Sequence, residues 1–476
     1  MFISFILLRL YFIFTFPPFT DESLYIRWGQ IMVHNDFFRW ASLPYINRQP
    51  LAFWIFGIGA IMFRHPLIGA RMMVLLSNIP VFFLLFRWIQ KRYSEKTALY
   101  ALVILTWCPL FILTQSLALM DGLLFALTGV IIFSLDRIEK TMTIWFILLI
   151  SVCIGIGLWI KTTTLLILAM TCLSLLMTHK KEHTIYGLLL SYVLCIIVPL
   201  VLLIPLMLRP DFKLLFNEPS SFLISANTPI ADIVGFWVTN LGSTVISTLI
   251  YFGPVVFMLF VFARKLPKNP HTTISALWFL IPAFLMMLSA HNFRYRYFVF
   301  GSVGLLPAFS SGLQRTSDVL KNSWIRTVLV STVIIYGIVF TVSPVTVFSL
   351  FPKWSGERDY AFSWPSGYGI PGLISWLDAR IPNDMPALLA VVDSPGNPSD
   401  YLLAYYYFRP NVRVIFITVS SEKELLKMMP LTLKQPVYVA TRASLIPENL
   451  TQYFRTITLF PKPNNEDAVG IYQLTL

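Results

Sequence analysis

Two adjacent carboxylates, Asp21 and Glu22, follow directly on an apolar run that ends at Phe16-Pro17-Pro18. A carboxylate beside a membrane can take the proton of an attacking hydroxyl. It can also simply open a helix, since acids in a first turn are favoured by the helix dipole by about 0.3–1 kcal/mol each. In that case Thr20 caps a helix running from Asp21 toward Val33. Successive helical side chains point about 100° apart. At most one of the pair then faces a substrate, and the other holds the loop. Asp121 is the only charge between Lys96 and Asp136. An ionisable residue in such surroundings is expensive and usually faces a cavity; the alternative is a helix cap. Lys161 interrupts the apolar stretch Trp159-Ile160-Lys161-Thr162. It reads either as an anion contact or as a lysine snorkelling to the interface. Arg48, Arg71, Arg294 and Arg296 complete the cations of this group, and Arg matches phosphate oxygens bidentately. Interfacial anchoring competes with that role for Arg294 and Arg296. Arg9, inside the first apolar run, needs a buried partner.

The elements that must position these residues are membrane helices. Of the 476 residues, 57% are hydrophobic and only 12% charged, against about 25% charged in soluble domains. Mean hydropathy is +0.72. The net charge of +13 does not point to nucleic acid, because much of the excess sits in short loops between apolar runs. A helix needs about 20 apolar residues to cross a bilayer. Eleven candidate spans result, near 1–18, 67–86, 97–115, 122–135, 144–160, 163–178, 185–208, 241–263, 272–290, 297–313 and 327–350. The first lacks a small-residue cleavage site and reads as an uncleaved span. The run Leu51–Phe63 is too short to cross and suits an interfacial helix. With the amino terminus in the cytoplasm, five loops rich in Lys and Arg fall on the inner side. They hold Arg87, Lys91, Arg92 and Lys96; Arg137 and Lys140; Lys180 and Lys181; Arg264, Lys265 and Lys268; and Arg315, Lys321 and Arg326. Asp21, Glu22, Asp121, Lys161 and the 291–296 segment then share the outer face. The four cysteines all lie in apolar runs and read as packing residues.

The expected fold is therefore a polytopic all-α membrane bundle of about 11 transmembrane helices, residues 1–351, with a first outer loop at 19–66. An extracytoplasmic α/β domain follows at 352–476. There the β-rich runs Ala387–Asp393, Val412–Thr418 and Pro436–Thr441 alternate with helical patterns at Ser399–Phe408 and Ser421–Met429, which predicts a largely parallel sheet. The tail shows no Gly-rich phosphate loop, no metal-spaced His/Cys set and no Ser/His/Asp arrangement.

The order of the motifs is itself informative. An acid pair follows the first span, and an aromatic loop ends in Pro50. Gly69-Ala70-Arg71 opens the next span; a Leu119-Met120-Asp121-Gly122 turn and a Lys161-Thr162 turn come later. This resembles the GT-C superfamily of membrane glycosyltransferases, within it the protein O-mannosyltransferase and lipid A aminoarabinose transferase group, over about residues 1–320. The resemblance implies transfer of a sugar from a polyprenyl-phosphate donor to an acceptor hydroxyl of a protein, lipid or glycan outside the membrane, with inversion. It implies Asp21 as the catalytic acidic residue and Glu22 as its loop-holding companion. Arg71 would meet the carrier phosphate together with Arg48, Lys161, Arg294 and Arg296. Asn47, Gln49, Asp121 and Tyr297 would line the cavity. Where the family often has Asp-His-Pro-Pro or an acid-basic-Pro-Pro segment, this chain has Asn47-Arg48-Gln49-Pro50. No cofactor beyond the lipid-linked donor is implied; a divalent metal is compatible but not indicated. The implied setting is a bacterial or archaeal cell membrane. The competing reading is a secondary transporter or lipid flippase, which would show inverted repeats and broken helices in both halves; neither is evident in the sequence.

Overall fold

A computed structural model describes residues 1–63, 65–141, 143–178, 185–216, 223–225, 227–253, 255, 270–291, 293–319, 323–381, 387–392, 394, 396–418, 437–465 and 467–475. Its chain forms two compact units. The first comprises Met1–Phe14, Trp40–Ala52 and Met72–Phe351; the second comprises Thr15–Arg39, Phe53–Arg71 and Pro352–Leu476. The tail thus shares its unit with Thr15–Arg39 and Phe53–Arg71, a grouping that no composition boundary near residue 352 reveals.

The helices in order are α1 (Phe2–Thr15), α2 (Thr20–His34), α3 (Ser42–Ile46), α4 (Leu51–Met62), α5 (Pro66–Arg92), α6 (Glu95–Trp107), α7 (Pro109–Ser116), α8 (Met120–Thr141), α9 (Ile144–Ile160), α10 (Thr164–Thr178), α11 (Ile185–Met207), α12 (Ile230–Phe252), α13 (Pro270–Ser289), α14 (Leu305–Val319), α15 (Ser323–Val342) and α16 (Pro344–Phe348). Among the described residues, α5, α11 and α12 are long and apolar enough to cross a membrane. The number rises to five if α1 with α2, and α6 with α7, each count as one broken span. Eleven spans are not confirmed among the described residues. The expected span 97–115 breaks after Trp107, where α6 and α7 meet at 61°, because Cys108 is extended and Pro109 restarts the helix. The expected span 297–313 begins as the 3-10 helix Tyr295–Gly304 before α14 takes over. Helix α12 ends at Phe252, eleven residues short of the expected span end, and 256–269 lie outside the described residues. So do Lys180, Lys181, Arg264, Lys265, Lys268 and Lys321 of the inner-loop pattern.

In the first unit α9 packs on α8 and α11, and the Tyr295–Gly304 segment packs on α8 and α13. The α6–α7 break also resolves Arg9. Pro109 has no N–H to offer the carbonyl of Leu105, and the helix end leaves Thr106 equally without a partner. The fully buried Arg9 donates to both carbonyls, at 2.6 Å and 2.7 Å, and to Gln115 Oε1 at 2.8 Å and 3.2 Å. Arg9→Met therefore strands two buried carbonyls, each worth about 1–3 kcal/mol when unsatisfied. We expect a lowered thermal midpoint in detergent; an unchanged midpoint would contradict this account of the break.

In the second unit the strands β1 (Ala387–Val392), β2 (Val412–Ile417), β3 (Tyr438–Arg442), β4 (Phe454–Pro461) and β5 (Ala468–Leu474) form one sheet in the order β2-β1-β3-β5-β4. Only β2-β1-β3 is parallel; β3-β5-β4 is antiparallel. The expectation of a largely parallel sheet is corrected accordingly. The extra hairpin turns at Asn464 and Asn465, both with φ near +60°, a conformation Asn tolerates better than most residues. Helix α17 (Ile370–Asp378) packs on β4 and β5, and α18 (Ser399–Tyr405) follows β1. The helical pattern expected at Ser421–Met429 lies outside the described residues.

Asp378, at the end of α17, accepts from Tyr405 at 2.8 Å, Tyr406 at 3.0 Å and Arg409 at 2.9 Å. Burial, then the bond to Asp378, pushes the Tyr405 phenol up to about 12; the same causes raise Tyr406. An unfolded tyrosine releases its proton near pH 10. The folded state keeps these protons longer, so their contribution is complete below pH 10 and is lost as pH rises toward 12. We expect the stability of the full chain to fall over that window, and Asp378→Asn to flatten the fall. Equal alkaline slopes for both proteins would exclude this network as the cause.

Candidate active site

Helix α2 carries the acid pair and has three distinct faces. Thr20, Ser23, Arg27 and Gln30 recur at helical spacing and all bond to tail residues of their own unit. Thr20 donates to Pro365 O at 2.9 Å, Ser23 to Asn397 Oδ1 at 2.6 Å, Arg27 to Asp400 Oδ1 at 2.5 Å and Gln30 to Ala404 O at 3.2 Å. Glu22, Ile26 and Gly29 form a second, buried face. There Gly29 lies against the backbone of α4 so closely that a Cβ would come within 2.4 Å of Phe53 O. Asp21, Leu24, Trp28 and Ile31 lie along the third face, each half-buried. Thr20 is not the cap that the sequence proposed. The cap is supplied by Glu22, whose Oε2 accepts from Phe19 N at 3.0 Å.

Glu22 is fully buried, and so is Arg71 of α5. Arg71 Nε and Nη2 each lie 2.7 Å from a Glu22 oxygen, a two-point ion pair. The same guanidinium donates to Phe16 O at 2.6 Å and Pro17 O at 3.0 Å. Arg71, expected against the carrier phosphate, instead has its donors directed into the loop that carries Asp21. These four bonds and the complete burial of its side chain favour a loop-holding role for Arg71.

The first unit gathers the other charges. Asp121 stands in the first turn of α8. Gly122 lets α8 approach α7, since a Cβ there would sit 2.3 Å from Thr114 O. Lys161 occupies the extended break between α9 and α10, and its Nζ reaches Asp121 Oδ1 at 2.7 Å. Arg296 Nε lies 3.8 Å from the other Asp121 oxygen. The Tyr297 ring lies 4.7 Å from Lys161 Nζ and 5.6 Å from the Arg296 guanidinium carbon. Arg48 and Arg296 both bear electrostatically on Lys161. Two cations thus meet one carboxylate, with Arg48 acting on Lys161 as a third, an arrangement with room for a further negative charge. Arg294 precedes the 3-10 turn, half-buried, with its carbonyl accepting from Tyr297 N. Asn47 stands where the resemblance leads one to expect an acid, and its backbone gives a reason for Asn. It terminates α3 in the left-handed region at φ 55°, where Asn serves as a helix stop. Gln49 beside it is buried.

Among the described residues no group of three or more His, Cys, Asp or Glu side chains is placed to hold a metal ion. Sequence reasoning missed Arg27, Asn397 and Asp400; the polar 20/23/27/30 stripe was the available signal.

Over residues 47–208 the chain matches the family model described as dolichyl-phosphate-mannose-protein mannosyltransferase. The crystal structure of ArnT from Cupriavidus metallidurans in the apo state covers 99% of this chain and 97% of its own, at 12% identity and a TM-score of 0.60. The chain has the ArnT fold. The structure of the same ArnT bound to undecaprenyl phosphate covers 99% and 96%, at 11% identity and a TM-score of 0.57. No curated protein matches the sequence. The resemblance to GT-C membrane glycosyltransferases that the motif order carries is shared by these matches. Arg48, Arg71, Asp121 and Lys161 lie inside the matched segment, whereas Asp21 and Arg296 lie outside it.

Proposed function

We propose that this protein is a membrane glycosyltransferase. It takes a sugar from a polyprenyl-phosphate donor and passes it to an acceptor hydroxyl at the outer face of the membrane, inverting the anomeric centre. The observation that carries the reading is the Lys161–Asp121–Arg296 group with Arg48 beside it. Its support is the family match over the segment holding three of these four residues, together with the undecaprenyl phosphate bound by a protein of the same fold.

In this reading the acceptor oxygen attacks the anomeric carbon and gives its proton to the Asp21 carboxylate. The bond from that carbon to the phosphate oxygen breaks, and its electron pair leaves with the polyprenyl phosphate. Lys161, Arg48, Arg294 and Arg296 hold the phosphate and offset the charge that grows on it. Asp121 orients Lys161 and Arg296, and Asn47, Gln49 and Tyr297 shape the site. Glu22 and Arg71 hold the Asp21 loop and stay away from the donor. The amino terminus is cytoplasmic, and the tail and Asp21 are extracytoplasmic.

The test is a reconstituted assay of the full chain in proteoliposomes with a panel of polyprenyl-phosphate sugars. Release of polyprenyl phosphate with a sugar joined to an acceptor is expected. Passage of a lipid-linked sugar between leaflets without transfer would replace the reading with transport. A single variant probes the cation group. Lys161→Ala removes one charged hydrogen bond to phosphate, worth about 1.5–3 kcal/mol, so undecaprenyl phosphate should bind roughly ten- to a hundredfold more weakly. Unchanged affinity would leave Lys161 as an anchor for Asp121 alone.

A further inference from the structure

The tail sheet has a topological switch point. From β1 the chain passes to β2 on one side and then to β3 on the other. In parallel α/β sheets the crevice outside the carboxyl ends of such strands is the usual ligand site. Here Arg442, at the end of β3, spans that point and donates to Ser394, just beyond β1, at 3.1 Å. The loop that continues from β1 is occupied by protein. Asn397, only 2% exposed, donates to Pro18 O at 2.8 Å and Pro365 O at 3.3 Å, and accepts from Ser23 at 2.6 Å. Its neighbours close on the same stretch. Thr20 gives both its N–H and its hydroxyl to Pro365 O. A Cβ on Gly367 would lie 1.8 Å from Pro18 O, and one on Gly396, at φ +90°, 2.5 Å from Thr20 Cγ2. Lys462 fixes the preceding turn by donating to Ser363 O at 3.1 Å and Trp364 O at 3.3 Å.

Residues 16–23 are thus held twice within one unit. Arg71 and Glu22 hold them from α5, and Asn397 and Pro365 hold them from the tail. The two clamps leave Asp21 on a backbone whose neighbours on either side, Thr20 and Glu22, are both fixed. We propose that the carboxyl edge of the tail sheet is the seat of the acid-bearing loop and that Asn397 is a positioning residue for Asp21. The inference rests on the reading of Asp21 as the base. It assigns the tail a part in turnover through geometry, with no tail group touching the substrate.

The test uses the full chain in proteoliposomes, with the polyprenyl-phosphate sugar that supports transfer as donor and undecaprenyl phosphate as binding probe. Asn397→Ala should lower kcat by about tenfold to a hundredfold, the range a displaced reacting group produces. Donor KM and undecaprenyl phosphate affinity should stay within about twofold, since ground-state binding is untouched. Amide exchange should accelerate over residues 18–24 and not in the rest of the chain. In an Asp21→Asn background the same change should have no further effect on kcat, because the two act as one unit. Ser23→Ala, which removes the 2.6 Å bond to Asn397 Oδ1 and the longer one to Phe19 O at 3.2 Å, should show the same pattern more weakly, and it decides the matter if Asn397→Ala does not fold. An unchanged kcat in the folded variant, or losses that multiply with Asp21→Asn, would overturn the proposal. A slow Asp21→Asn protein with normal Asn397→Ala turnover removes this proposal alone. A normal Asp21→Asn protein removes it together with the base assignment.

Discussion

Asp21→Asn protein is expected to turn over about 10²–10⁴ times more slowly than wild type, the usual contribution of a positioned general base. The substitution keeps side-chain size and removes the basic oxygen. Donor binding should change little, because a carboxylate repels phosphate more than it holds it. The geometry of α2 makes the two acids separable. Glu22 is fully buried in its pair with Arg71, whereas Asp21 lies on the half-buried third face with Leu24 and Trp28. If Asp21 served only to favour the helix start, its loss would cost a few tenths of a kcal/mol in stability and leave turnover nearly intact. A single-turnover measurement on purified protein separates these outcomes. Turnover within about threefold of wild type would remove Asp21 as the base, because no base with the usual contribution could be lost so cheaply.

Arg71→Ala carries the second large effect, and it falls on stability. The substitution leaves the Glu22 carboxylate buried without its cation and takes donors from Phe16 O and Pro17 O. Breaking a buried ion pair on one side costs about 3–5 kcal/mol. Glu22→Gln should be milder, since an amide still accepts from Phe19 N and from one Arg71 nitrogen. Replacing both partners with apolar residues should recover part of the loss and not all of it, because the two carbonyls remain unpaired. Thermal midpoints in one detergent give the order directly. Wild-type stability combined with weakened undecaprenyl phosphate binding in Arg71→Ala would restore the phosphate role that the sequence suggested.

Much of the local structure was readable because its causes are local. Asp21 and Glu22 behind Pro17-Pro18 mark a helix start, and α2 runs as far as that signal implied. The apolar run at Leu51 becomes α4, and the β-rich tail runs become β1, β2 and β3. What could not be read depends on partners far away in the chain. An arginine in Gly-Ala-Arg looks the same whether it meets a phosphate or a glutamate 49 residues earlier. Nor does the lone Lys161 announce Asp121, 40 residues before it. The polar stripe on α2 was visible as a pattern but had no evident destination. The β4–β5 hairpin was missed for a different reason. Its strands carry β-branched residues, Thr456, Ile457 and Thr458 in β4 and Val469 and Ile471 in β5, and the Asn464-Asn465 turn that joins them was the signal to read. The span count is not confirmed where backbone chemistry intervenes, at Pro109 and in the 3-10 segment after Arg294.

The seating of α2 also sets an order of assembly. Ser23 and Asn397 are 374 residues apart in the chain. At about 5–20 residues per second the partner of Ser23 leaves the ribosome on the order of tens of seconds after it. Until then Thr20, Ser23, Arg27 and Gln30 lack these tail partners, and the loop with Asp21 is held from one side only. A late part of the chain thus completes the seating of an early one. A chain that stops before Asn397 therefore holds residues 16–23 by the Arg71–Glu22 clamp alone.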